Sequence, residues 1–235
     1  MSFEILEEMI LLRASFLLDR IFSGMNLTFE QALDLLRNHN NFTTLQDKEM
    51  REVLVAAIDN LVDFAAAQEY TLVRDLPHEV DIEHPEIYEH ICKKYNETYA
   101  GIENEDVLHA AAIAAWWIHI PEDTLITYMT QGDERVRAWH LSLEGFSASK
   151  REFPDALIPP IEHGCRCYLV NNGSTSLIQG TLKRNSGSER KVNPVFSESL
   201  SKKGRIFSPA HPYFQIPLPE KLQKAVKRIK DKLYL

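Results

Sequence analysis

The chain has 235 residues, 44% hydrophobic and 26% charged, which suits one globular domain with extensions or two small domains. Its net charge of −8 argues against a dedicated nucleic-acid binder, and no stretch reaches the roughly 18 uncharged apolar residues that a membrane span needs. Charge is uneven: residues 181–235 hold 13 Lys and Arg against 4 Asp and Glu, while residues 1–180 hold 13 against 30, so a basic tail follows an acidic body.

Of the three cysteines, Cys165 and Cys167 lie too close along an extended chain to bridge each other, so a disulfide framework is not expected and a reducing cytoplasm fits. Apolar residues 9–12 follow Glu4, Glu7 and Glu8 rather than a basic segment, unlike a secretory signal.

In chain order, Ile5, Met9, Leu12, Phe16 and Ile21 predict an amphipathic helix over residues 3–22, ended by Gly24. Thr28 with Gln31 is a capping box opening a short helix to about residue 37. After a polar break at residues 38–41, Thr44 with Asp47 opens the clearest helix. It carries Met50, Leu54, Ile58, Leu61 and Phe64 at helical spacing to about residue 69. These three helices make a helical N-terminal region, 1–75. Residues 70–85, with Pro77 and Pro85, read as a linker. Pro85 opens a helix over residues 86–98. Asn104, followed by Glu105 and Asp106, caps another over residues 105–119. His90 and Cys92 are two apart on a helix and point to different sides, so they are not read as a metal pair.

The chemistry-bearing residues fall between 127 and 170. Residues 125–129 are strand-like. Thr130 with Asp133 predicts a helix over residues 131–144, closed by Gly145 in a left-handed cap. Asp133, Arg137 and His140 then share one stripe at i, i+4 and i+7. Residues 165–170 predict a strand, with Cys165 and Cys167 on one face and Arg166 on the other. Packing that strand on the helix brings Thr130, Asp133, Arg137, His140, Cys165 and Cys167 together.

Three chemistries fit such a cluster. It can be a polar network that fixes packing. It can be a zinc site of Cys165, Cys167 and His140, completed by a carboxylate or His163. It can be a Cys–His–Asp catalytic set. The sequence holds no Gly-rich phosphate loop, Gly-x-Ser-x-Gly or His-Glu-x-x-His.

The ordered residues Thr130, Asp133, Val136, Arg137, His140, Leu143 and Gly145, then Pro159-Pro160, then Cys165-Arg166-Cys167, resemble the phage Mu protein F-like head morphogenesis family. An alanine-rich stretch ending in tryptophan, residues 110–117, is similar to the one that precedes the motif in that family. The resemblance covers about residues 107–170. The chain departs from it at residues 153–157, where the family carries an acidic-aromatic segment, and at Glu162-His163-Gly164 before the first cysteine. The resemblance implies a minor structural protein of a phage or prophage head, within a domain spanning 76–180. It would act in the bacterial host cytoplasm during assembly and in the virion head. Its partners would be portal, capsid or scaffold proteins, with no membrane. The alternative is a small zinc-stabilised enzyme or toxin-like domain using the Cys/His/Asp cluster.

Beyond the motif, Asn172-Gly173 predicts a hairpin turn with a return strand over 174–179. Residues 185–201 read as flexible, and residues 207–214 as an aromatic-proline segment draped on the body. Residues 219–233 predict a basic amphipathic helix with Leu222, Val226, Ile229 and Leu233 in its stripe. It would either dock on the acidic body or contact DNA. The fold expected is α+β: a helical N-terminal half, a small antiparallel sheet carrying the motif, and a tail (181–235) ending in a basic helix.

Overall fold

Local capping sets where the N-terminal helices begin. In the computed structural model, which describes residues 2–38, 41, 44–79, 81, 83–174 and 192–233, the Ser2 side chain accepts from the Ile5 N–H and opens α1 (Phe3–Gly24). Thr28 with Gln31, and Thr44 with Asp47, form the expected capping boxes of α2 (Phe29–Arg37) and α3 (Leu45–Asp75). α3 extends to Asp75 rather than residue 69, so the first six residues of the expected linker are helix. It stops where Leu76, pressed by Pro77, takes an extended backbone (φ −67°, ψ 142°).

The buried face of α1 also differs from expectation. Leu6, Ile10, Ala14, Leu17 and Ile21 face the core, while Ile5, Leu12 and Phe16 are about half exposed. The helix is apolar on adjacent faces, so spacing alone does not choose between them. Arg13 breaks the choice: it is buried and pairs with Glu69 on α3 at 3.0 Å.

Pro85 precedes α4 (Glu86–Lys93), which continues through a π-helical turn (Lys94–Tyr99) into α5 (Ala100–Ile118). The chain expected to break between residues 98 and 105 stays helical, the π turn ending at Tyr99 and α5 running on from Ala100, so Asn104 lies inside a helix instead of capping one. No proline stops the rod there, and the extra residue per turn turns Tyr95 into the core. α5 packs closely on α1 through Ala110, Ala111 and Ala114. A Cβ on Gly24 would lie 2.6 Å from both the Ala111 Cβ and the Leu108 carbonyl oxygen, so glycine permits the approach.

Two apolar clusters result. The larger joins α1, α2, α3 and α5 to residues 195–213 and the C-terminal helix. Part of the stretch expected to be flexible belongs to it: Val195, Phe196 and Leu200 are buried in short 3-10 turns, while residues 185–191 lie outside the described residues. The aromatic segment is inserted rather than draped. Phe207 stacks on Phe64 at 4.2 Å, and Asn60 of α3 bonds the Ile206 and Phe207 N–H groups and the Phe207 carbonyl at 2.9–3.0 Å.

The smaller cluster lies under an antiparallel sheet of β1 (Thr124–Met129), β2 (Ser147–Ser149) and β3 (Tyr168–Ser174), ordered β2-β1-β3. β3 starts at Tyr168, opposite Met129, so residues 165–167 form an extended lead-in and not the strand expected from residue 165. The predicted hairpin turn at Asn172-Gly173 is not one. The strand passes through it, with Gly173 at φ +81° beside a register shift against Thr124 and Ile126. The expected return strand lies, from residue 175 on, outside the described residues. α6 (Ala138–Leu141) is a single turn between β1 and β2.

The C-terminal helix α7 (Glu220–Leu233) docks on α3 and α1 through Leu222, Ala225, Val226 and Ile229. Lys230 reaches Asp63 at 2.8 Å and Asp59 at 3.4 Å, and Arg228 reaches Glu7 at 2.7 Å. No helix among the described residues is long and apolar enough to cross a membrane.

Candidate functional site

The long motif helix does not form. Gly132 takes a left-handed φ of +68°, and the Asp133 carboxylate accepts from the Arg135 N–H at 3.1 Å, a local bond that competes with helix. Arg137 is extended, and α6 follows it. Thr130, instead of capping, is buried, donates to the Glu144 carboxylate and accepts from the Gly132 N–H at 3.3 Å.

This irregular path splits the predicted stripe. His140 turns inward and is 2% exposed, against 5% for Cys165 and 3% for Cys167. Its Nδ1 lies 3.2 Å from the Cys167 sulfur and 4.0 Å from the Cys165 sulfur. Asp133 stays outside, in a two-point pair with Arg166 at 2.7 and 2.8 Å. Arg137 also stays outside, 3.3 Å from Glu162 and donating to the His163 carbonyl at 2.8 Å. The residues converge as a layered set: a buried His–Cys–Cys centre with ion pairs over it, and Thr130 held apart by Glu144.

Glu162 is the partner that spacing did not reveal. Its carboxylate takes the His140 Nε2 at 3.1 Å and the Trp139 indole N–H at 3.1 Å. Since a carboxylate only accepts, Nε2 carries a proton toward Glu162, and Nδ1 faces the sulfurs. His163, a candidate fourth ligand, turns the other way, with its Nδ1 on the buried Asp106 of α5 at 2.8 Å. The same carboxylate accepts from the Gly164 N–H at 2.8 Å, and His109 of α5 donates to the Cys167 carbonyl at 2.8 Å. Helix α5 therefore holds the loop that carries both thiols. The only local signal for Asp106 is an acidic residue at helical spacing with the buried Val107, Ala110 and Ala114.

The two thiols act as one acidic unit. A hydrogen bond from Cys167, aided by His140, pulls the Cys165 thiol down, while the neighbouring Cys165 and burial push Cys167 up. Tyr128 on β1 is fully buried, and its hydroxyl lies against the two cysteine sulfurs. Burial, then the adjacent sulfurs, hold that hydroxyl well above its ordinary ionisation range.

On the far side of the same loop lies a cleft of about 480 Å³, lined by Tyr95, Tyr99, Glu103, His163, His211 and Tyr213 among others. Burial pushes the Glu103 carboxyl up to about 7, and burial pulls His211 down to about 4.

No family model, curated protein or solved structure matches the chain. The likeness to the Mu F-like family rests on the ordered residues themselves.

Proposed function

We propose that the chain is a minor structural protein of a phage or prophage head, acting in capsid assembly near the portal. The observation that supports it is the fate of the family-like residues. His140, Cys165 and Cys167 are packed in a closed cluster, and Asp133, Arg137 and Arg166 are spent on ion pairs that hold its covering loops. Such a cluster fixes a shape and does not present a nucleophile. Its test is assembly. The tagged chain is expressed with the portal, scaffold and capsid proteins of the genetic element that encodes it. Sedimentation with head-sized particles or with the portal is expected. Recovery solely as free chain, with particles of normal composition forming without it, refutes the reading.

The enzyme alternative loses its cysteine triad here, because Asp133 does not touch His140 and the thiols are buried. What favours an enzyme is the cleft instead. Glu103, whose carboxyl burial holds near 7, lines the cleft together with His163, an imidazole oriented by Asp106, and these are group types that acid–base chemistry uses. A small-molecule or nucleotide turnover abolished by both Glu103→Gln and His163→Ala, with folding retained, would select this reading.

A further inference from the structure

We propose that His140, Cys165 and Cys167 bind one zinc ion, with the Tyr128 hydroxyl facing the fourth position and Glu162 steadying His140 from behind. The inference stands on the geometry of the centre and does not rest on the head-assembly reading.

The donors are of the right kind. Thiolate sulfur and imidazole nitrogen are the ligands zinc prefers, and structural sites hold four groups in a tetrahedron. With bonds of about 2.0–2.3 Å, neighbouring ligand atoms in a tetrahedron stand about 3.3–3.8 Å apart. The Nδ1–sulfur separations of 3.2 and 4.0 Å bracket that edge, and all three donor atoms lie within 4.8 Å of one another. Small side-chain adjustments are enough to seat an ion.

The surroundings point to an ion independently of the donors. A buried hydroxyl needs a partner. The Tyr128 hydroxyl is buried among the two sulfurs, which are weak acceptors. A zinc ion gives it a role as the fourth ligand or as donor to a bound thiolate. Charge also balances: zinc with two thiolates is neutral, which a buried site tolerates. Binding displaces the thiol protons to solvent, and the His140 Nδ1 is already turned toward the sulfurs. The Glu162 carboxylate on Nε2 is the outer partner that zinc-bound histidines almost always have.

The experiment measures metal in the full chain, purified without chelators and dialysed against excess zinc, then desalted. Equimolar zinc is expected. A mercurial titrated against the native wild-type chain should release it in step with modification of the two thiols beyond the part-exposed Cys92, read with a zinc indicator. Cobalt in place of zinc should give an intense sulfur-to-metal charge-transfer band. Glu162→Gln should keep the fold and weaken zinc binding about 10–100-fold. Cys165→Ser with Cys167→Ser should abolish binding. If that variant does not fold, the mercurial release from the wild-type chain decides. Substoichiometric zinc after dialysis, cobalt without the sulfur band, or zinc unreleased by the mercurial would each overturn the proposal.

Discussion

The docking of α7 separates two forces of different size, so it gives a sharp test. Ile229 and Leu222 are each 1% exposed against α3 and α1. Truncating a fully buried Ile or Leu to Ala costs about 2–5 kcal/mol, the lost transfer energy plus the cavity left behind. Lys230 makes two ion pairs, but Asp59 and Asp63 are about half exposed, and such pairs contribute roughly 0–1 kcal/mol each. Ile229→Ala should therefore lower stability by about 2–5 kcal/mol, and Lys230→Ala by about 2 kcal/mol at most. Urea denaturation followed by circular dichroism measures both, at low and at high salt. Only the Lys230 cost should shrink with salt, because screening acts on the exposed charges. Removal of residues 217–235 should cost more than either, since it bares the whole apolar stripe. An Ile229→Ala loss below about 0.5 kcal/mol, or a lysine effect larger than the isoleucine effect, would refute docking driven by burial.

Three further outcomes follow from single positions. Glu103 is buried, and its carboxyl is held near 7 against an ordinary 4.5, so folding favours its neutral form. The stability it contributes is complete below 4.5 and is lost as pH rises through 7. Relative to Glu103→Gln, the wild type should therefore lose on the order of 3 kcal/mol between about pH 4 and pH 8, by denaturation at each pH. The opposite drift from His211 is common to both proteins and cancels in the difference. Asn60→Ala strands two buried N–H groups and a carbonyl of the Ile206–Phe207 turn, and should cost at least about 3 kcal/mol in the same assay. Gly24→Ala forces α1 away from α5 and should cost about 1–3 kcal/mol; a neutral result would mean that the two helices separate freely.

What the sequence disclosed was whatever depends on residues a few positions apart. The capping boxes at Thr28 and Thr44 are such pairs, and both form as read. The stripe of α7 was legible because polar residues surround it on every other side. α1 was not, because its apolar residues cover adjacent faces and a partner 56 positions away, Glu69, settles the choice through Arg13. The motif helix failed for a local reason that was present in the sequence. Gly132 followed by Asp133 is as good a turn as it is a helix start, and the Asp133 side chain takes the nearer N–H. His140 nevertheless meets the thiols, because the irregular segment returns it by another route. Glu162, Asp106 and Tyr128 stayed hidden, since no spacing rule links a residue to partners 22 or 57 positions away.

Those distant partners decide how the motif is built. The loop that carries the thiols is gripped from both sides. Glu162 binds His140 and Trp139 beneath it and Arg137 outside, joining the loop to the sheet cluster. The next residue, His163, faces α5 through Asp106, and its ring packs on Phe196 at 4.9 Å and on His211 at 5.8 Å. Phe196 and His211 come from beyond the motif, and His211 stands beside Phe64 of α3. A displacement of the loop toward one cluster must strain the other, since adjacent residues bind opposite sides. The His–Cys–Cys centre is thus positioned as much by the helical core and the segment after residue 192 as by the sheet that bears it.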